Sequence, residues 1–266
     1  MWKRSLEIPI EKAKELLPEV TERLRKWTRA RFSLPEQESF DVTFVFDQPW
    51  MAYNWYQGEY RSLIEINTDL PMQVTELAEL IAHEGYPGHH TEHCIKEERL
   101  VQQRNYMEHA VTVLYSPFNV VAEGIATTAL EALLTDQELE DWYREEILPR
   151  AGMTRVDARS IVEVRRAEAG MHGLAGNAAF MLHDQKKSPQ ETMSYLQQYG
   201  LQTEQEASHT IRFVSDPHSR SYVFTYFAGR ELLNQLFAQN DRSTYFKRLL
   251  EEPVTPSQLR EWIRLQ

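Results

Sequence analysis

The chain reads as a mainly α protein, a helical array with a small β-sheet in its N-terminal third. Two observations predict this. Apolar residues recur at helical spacing over most of residues 71–266, whereas two short runs between residues 41 and 67 are rich in β-branched and aromatic side chains. No internal repeat or low-complexity tract is present, so 1–266 is read as one domain.

Residues 10–32 place Leu16, Leu17, Val20, Leu24 and Trp27 at helical spacing with polar residues between them, which predicts a half-exposed helix within an N-terminal segment 1–35. After Pro35 the pattern changes. Residues 41–46 and 60–67 predict two strands of a small sheet at 41–67, joined by the aromatic, turn-prone stretch 48–60. From Pro71 the helical period returns, first over 72–82 and then over 120–134, 154–182, 189–198, 203–214, 220–238 and 256–265. Asn67, Thr68 and Asp69 supply capping side chains for the first of these helices, and Pro71 suits its first turn.

Composition removes several function classes. Against 40 acidic residues stand 29 basic ones, a formal net charge of −11, which argues against a nucleic-acid or anionic-membrane surface. No run approaches the roughly 20 apolar residues that span a bilayer, and residues 1–7 lack the apolar stretch of a signal peptide. The one cysteine, Cys94, cannot form an internal disulfide. A soluble, cytoplasmic protein is expected.

Four of nine histidines, His83, His89, His90 and His93, fall within eleven residues, with Glu84 and Glu92 among them. Imidazole is a favoured zinc ligand, and a carboxylate beside the first histidine suits a general base acting on a metal-activated water. The spacing departs from the usual pair of histidines four apart, because that position is Pro87. On a straight helix His90 would lie about 10.5 Å along the axis from His83, and His89 would point away. Pro87 and Gly88 therefore predict a break between the histidines that returns His89 to the place of the second ligand. A competing reading is the inverted pattern His89–His90–Thr91–Glu92–His93, with His89 and His93 as ligands four residues apart. Glu123 is the candidate third ligand, a lone acid in the apolar stretch 120–127, where a buried carboxylate needs an ion or a partner.

These residues resemble a family of bacterial proteins catalogued as a domain of unknown function and grouped with the gluzincin metallopeptidases, whose members carry an HExxPGHH motif and then an EGWA-like segment. Here the first reads His83-Glu84-Gly85-Tyr86-Pro87-Gly88-His89-His90, and the second Glu123-Gly124-Ile125-Ala126, with Ile125 where the family usually has tryptophan. Gly170-Met171-His172 is similar to a GLH-like motif and Tyr226-Phe227-Ala228-Gly229-Arg230 to a YxxGR-like one. The matches span about residues 60 to 235 and resemble the C-terminal, metal-bearing half of family members. The resemblance implies a helical zincin-like fold, as in the carboxypeptidase Taq and thimet oligopeptidase families. It also implies one zinc ion per chain on His83, His89 and Glu123, with Glu84 as base, and it favours His89 over His90 and over the inverted reading.

The remaining roles are expectations of the same kind. Tyr226 is the first candidate to donate to the oxyanion, His172 the second, and Tyr222 shares a helix face with Tyr226. Arg230 is a candidate to bind a substrate carboxylate, unless it pairs with a helical Glu. The strand ending Glu65-Ile66-Asn67 is the candidate edge for an extended peptide, with Asn67 at its end. The expected function is a zinc-dependent peptidase. The alternatives are a zinc amidohydrolase acting on a small non-peptide amide and a non-catalytic binding or scaffold module.

Overall fold

The computed structural model describes residues 3–264, so residue 265, the end of the last predicted helix, lies outside the described residues. The protein is mainly α-helical with small sheets near the N-terminus. A short strand, β1 (Glu7–Ile8), precedes helix α1 (Ile10–Arg31). The buried stripe Ala13, Leu16, Leu17, Val20 and Leu24 of α1 joins the main core.

Three strands follow, β2 (Ser39–Val45), β3 (Ala52–Gly58) and β4 (Arg61–Asn67), in the order β2-β4-β3. β2 runs parallel to β4 and β3 antiparallel to it. The stretch expected to be turn-prone is therefore largely strand. Its hairpin to β4 closes through Glu59 and Tyr60, both with positive φ, the backbone of a tight hairpin turn without the usual Asn or Gly. β4 is central, which corrects the expectation that it is the free edge; the free edges belong to β2 and β3. Ile64 and Ile66 of β4 are fully buried in the core.

After residues 68–71, the short strand β5 (Met72–Gln73) pairs with β1 and delays the following helix, α2 (Val74–Glu84). Its cap is Gln73 in a reciprocal capping box with Glu76, not the 67–69 segment, because Met72 and Gln73 are held extended by β1. Then come α3 (His89–Lys96), which runs into a π-helical turn at Glu97–Gln102, a long loop, and α4 (Pro117–Thr127) with α5 (Ala129–Leu133). The chain continues through α6 (Asp136–Trp142), α7 (Leu148–Arg150), α8 (Ala158–Glu168), α9 (Leu174–His183), α10 (Pro189–Gly200), α11 (Glu204–Ser215), α12 (Val223–Gln239), α13 (Arg242–Glu251) and α14 (Pro256–Arg264). The single helix expected over 154–182 divides at a 3₁₀ turn, Ala169–Met171, between α8 and α9.

Two apolar cores result. The larger unites α1, the sheet, α2 and the distal part of α12, while a smaller one gathers Ala178, Ala179, Leu196, Ala207, Val214 and Val223 from α9, α10, α11 and the start of α12. α12 thus passes from one core to the other. Among the described residues no helix is long and apolar enough to cross a membrane.

Candidate metal centre

The break predicted between the histidines is present. α2 ends at Glu84, and the chain turns through Gly85, Tyr86, Pro87 and Gly88, with a cis Tyr86–Pro87 bond, before α3 begins at His89. The turn folds back on α2: Gly85 and Tyr86 N–H donate to Ile81 O, and Gly88 N–H donates to Ala82 O at 2.9 Å. Gly88 is required by this return, since a Cβ there would stand 1.9 Å from His83 O. His83 and His89, six residues apart, consequently come edge to face with ring centroids 4.8 Å apart.

Glu123 on α4 completes the group. Its Oε2 lies 3.4 Å from His83 Nε2 and its Oε1 3.6 Å from His89 Nε2. A tetrahedral ion with arms of 2.0–2.1 Å separates its ligand atoms by about 3.4 Å, so these spacings suit a cation between them. Among the described residues Glu123 Oε2 is buried with no hydrogen-bond partner, whereas Tyr222 Oη donates to Oε1 at 2.5 Å. The donor set of two imidazoles and one carboxylate could hold a metal ion.

The electrostatics follow from this crowding. Burial disfavours the His89 cation, yet the adjacent Glu123 carboxylate raises its pKa to about 9. Burial likewise opposes ionisation of Glu123, but His89 and His83 hold it well below the ordinary carboxylate range. Glu84, buried beside the group with Oε1 3.9 Å from His83 Nε2, is pushed up by desolvation, only partly offset by His83 and His89. A carboxylate with a raised pKa is suited to exchanging protons near neutrality.

α12 brings the tyrosines. It crosses α4 at Gly229 and Gly124, so tightly that a Cβ on Gly229 would stand 2.1 Å from Val120 O. This crossing lets Tyr222 reach Glu123 and sets the Tyr226 ring 6.2 Å from that of His83. The Tyr226 phenol makes no hydrogen bond among the described residues, and both phenols line a cavity of about 280 Å³ with Glu84, His83, His89 and Glu123.

Residues 52–56 of β3 line the same cavity, a contribution that the sequence reading missed. Asn67 N–H donates to Met51 O at 2.8 Å, so by antiparallel alternation residues 51, 53 and 55 bond toward β4 while Ala52, Asn54 and Tyr56 turn their backbone groups to the free edge. Asn54 Nδ2 donates to Glu84 O at 2.7 Å, tying this edge to the end of α2, and its Oδ1 is buried without a partner among the described residues. The signal was available in the aromatic, β-forming run Tyr53, Trp55 and Tyr56.

Several expected residues are placed elsewhere. His90 is a buried core histidine: Nδ1 meets Ser62 Oγ at 2.8 Å and Nε2 meets Glu38 Oε2 at 3.1 Å, so it is not a ligand. His93 stacks on Tyr56, and Glu92 pairs with Lys96 at 2.5 Å; the inverted pattern does not assemble a site among the described residues. Asn67 is buried, with Nδ2 donating to Gln48 O at 3.0 Å and Trp50 O at 2.9 Å, which makes it a support of the β2–β3 loop and not a substrate contact. The Arg230 guanidinium is occupied by Thr127 O and Glu131, the helical pairing that was the alternative to carboxylate binding. His172 lines a separate cavity of about 180 Å³ with Arg165, Arg230 and the far side of His83, away from Glu84 and Tyr226, because the 3₁₀ turn between α8 and α9 carries it there.

No protein-family model and no curated protein sequence matches the chain. Among solved structures the fold is similar to that of the putative lipoprotein from Colwellia psychrerythraea, with a TM-score of 0.68 and 15% identity over 98% of this chain. The chain spans 45% of that protein's length. At this identity the likeness is one of fold.

Proposed function

We propose that this chain is a zinc-dependent hydrolase of the gluzincin type that cleaves peptide bonds. The observation that carries the reading is the convergence of His83, His89 and Glu123 beside the buried, otherwise uncommitted carboxylate of Glu84, in a cavity walled by the free edge of β3. Zinc held by the three ligands would polarise the scissile carbonyl and acidify a water molecule.

The chain's own groups supply the rest. Glu84 takes a proton from the attacking water and returns it to the leaving nitrogen, a task that its raised pKa suits. Tyr222 is committed to Glu123 and holds that ligand in place, which leaves Tyr226 as the phenol free to donate to the developing oxyanion. The outward backbone groups of Ala52, Asn54 and Tyr56 offer an extended substrate a strand to pair with, and this favours a peptide over a small amide. A reducing, cytoplasmic setting belongs to the same reading, supported by the single, buried thiol of Cys94.

The test has two stages. Elemental analysis after zinc loading should find about one zinc per chain, lost in His83→Ala and in Glu123→Ala. Glu84→Gln should then keep zinc and lose hydrolysis of a peptide library. Zinc retained without His83 removes the metal assignment; hydrolysis retained by Glu84→Gln removes its role as base.

A further inference from the structure

We propose that the groove extends beyond the metal ligands as a binding track for an extended peptide with apolar and basic side chains, whose specificity wall is the exposed segment Val111 to Val113 with Phe118. The choice of a peptide as occupant rests on the hydrolase reading; the track itself rests on separate observations.

The cavity around Glu84 adjoins a larger one of about 890 Å³, and Tyr56, His93, Thr112, Asn119 and Ala122 line both. The larger cavity has two long walls. One is the end of β3, Tyr56 to Gly58; the other is Ala110 to Val113 with Phe118. β3 is seven residues long, which at about 3.3 Å per residue gives a track of about 20 Å, enough for a peptide of about seven residues.

The second wall is an exposed segment that runs into a turn, closed by Ser116 N–H donating to Val113 O at 3.0 Å. Val111 has an extended backbone, and apolar side chains stand exposed along the segment, Val111 by 68%, Val113 by 61% and Tyr115 by 55%, while Thr112 and Leu114 line the inner cavity. Among the described residues the N–H groups of Thr112, Val113 and Leu114 have no backbone partner. Apolar side chains this exposed, adjacent in the chain and bordering a cavity, mark a surface that meets another molecule. The free edge of β3 on one side and the unmet N–H groups of Thr112, Val113 and Leu114 on the other suit an extended chain laid between them.

Charge selects the occupant further. Glu92, Glu97 and Glu108 line the outer cavity against one cation, Lys96, which Glu92 already holds. The track therefore favours lysine or arginine between the apolar residues of the bound peptide and disfavours aspartate or glutamate.

The experiment uses fluorescence anisotropy with the zinc-loaded Glu84→Gln protein. The probe is a labelled nonapeptide of alternating leucine and valine with two lysines; a second peptide replaces the lysines by glutamate and a third replaces the aliphatics by serine. The first should bind, and the other two should bind at least tenfold more weakly. Adding Val111→Ser and Val113→Ser, which remove the apolar contact without adding charge, should weaken the first peptide at least tenfold without changing thermal unfolding, because both side chains are exposed. Equal binding by the groove variant, or by the serine peptide, overturns the track. Equal kcat/KM of the nonapeptide with and without the two serine substitutions in the otherwise wild-type protein leaves the hydrolase and overturns the track. Groove-dependent binding with no turnover by wild type upholds the track and removes the hydrolase reading.

Discussion

Tyr222 Oη donates to Glu123 Oε1 at 2.5 Å, from the N-terminal end of α12 to the carboxylate that faces His83 and His89 from α4. The bond fixes one carboxylate oxygen and leaves the other, Oε2, buried and without a hydrogen bond among the described residues. Tyr222→Phe removes that restraint without changing a ligand. Zinc affinity is expected to fall about 10- to 100-fold, the usual effect of losing a hydrogen bond to a ligand. Competition with a chromogenic chelator measures it; unchanged affinity would mean that the phenol does not position Glu123.

His89 and His90 are adjacent and chemically identical, yet they stand in different surroundings. His89→Ala should abolish stoichiometric zinc binding and leave the fold intact. His90→Ala should keep zinc but destabilise the protein by about 1–3 kcal/mol, since Glu38 and Ser62 lose a buried partner. Elemental analysis beside denaturant unfolding separates the two, and the reverse pattern would exchange their roles.

Gly229→Ala tests the helix crossing. The added methyl would stand 2.1 Å from Val120 O and 2.6 Å from Gly124 N, so α4 and α12 must separate. Destabilisation of about 1–3 kcal/mol or more is expected from overpacking, together with weaker zinc binding as Tyr222 moves from Glu123. Stability equal to wild type in urea unfolding would show that the crossing tolerates a side chain.

Glu38 makes stability depend on pH. Burial would raise its pKa, but hydrogen bonds from His90, Tyr86, Arg25 and Arg29 bring it down to about 2 from the ordinary 4.5. A folded-state pKa below the unfolded one contributes stability that is fully present above about pH 4.5 and lost as pH falls toward 2. Glu38→Gln should therefore cost on the order of 3 kcal/mol at pH 7, with the gap to wild type narrowing through that window. Urea unfolding of both proteins between pH 7 and 2.5 checks this; a gap independent of pH would rule out the carboxylate as its source.

Parts of this architecture were legible before folding was considered. The apolar period of α1 and α2 encodes which face each helix buries, and Pro87-Gly88 encodes the interruption that lets histidines six apart converge. The hairpin joining β3 and β4 was not legible, because Glu59 and Tyr60 adopt positive φ without the glycine or asparagine that marks such a turn, and the sheet then buries β4 and frees β3.

The sequence by itself determined the helical class, the break after Glu84 and the grouping of His83, Glu84, His89 and Glu123 as candidates for one site. These follow from local sterics and from the chemistry of the side chains, which are properties of neighbours in the chain. Tertiary structure alone decided that His90 is a core residue, that Tyr222 restrains Glu123, that Asn67 and Arg230 serve the fold, and that β3 supplies the edge of the groove. The partners that settle those roles lie far off in sequence, 52 residues for Glu38 and His90 and 99 for Tyr222 and Glu123. A buried polar atom takes whichever partner packing brings within hydrogen-bond reach, and no local pattern records that choice.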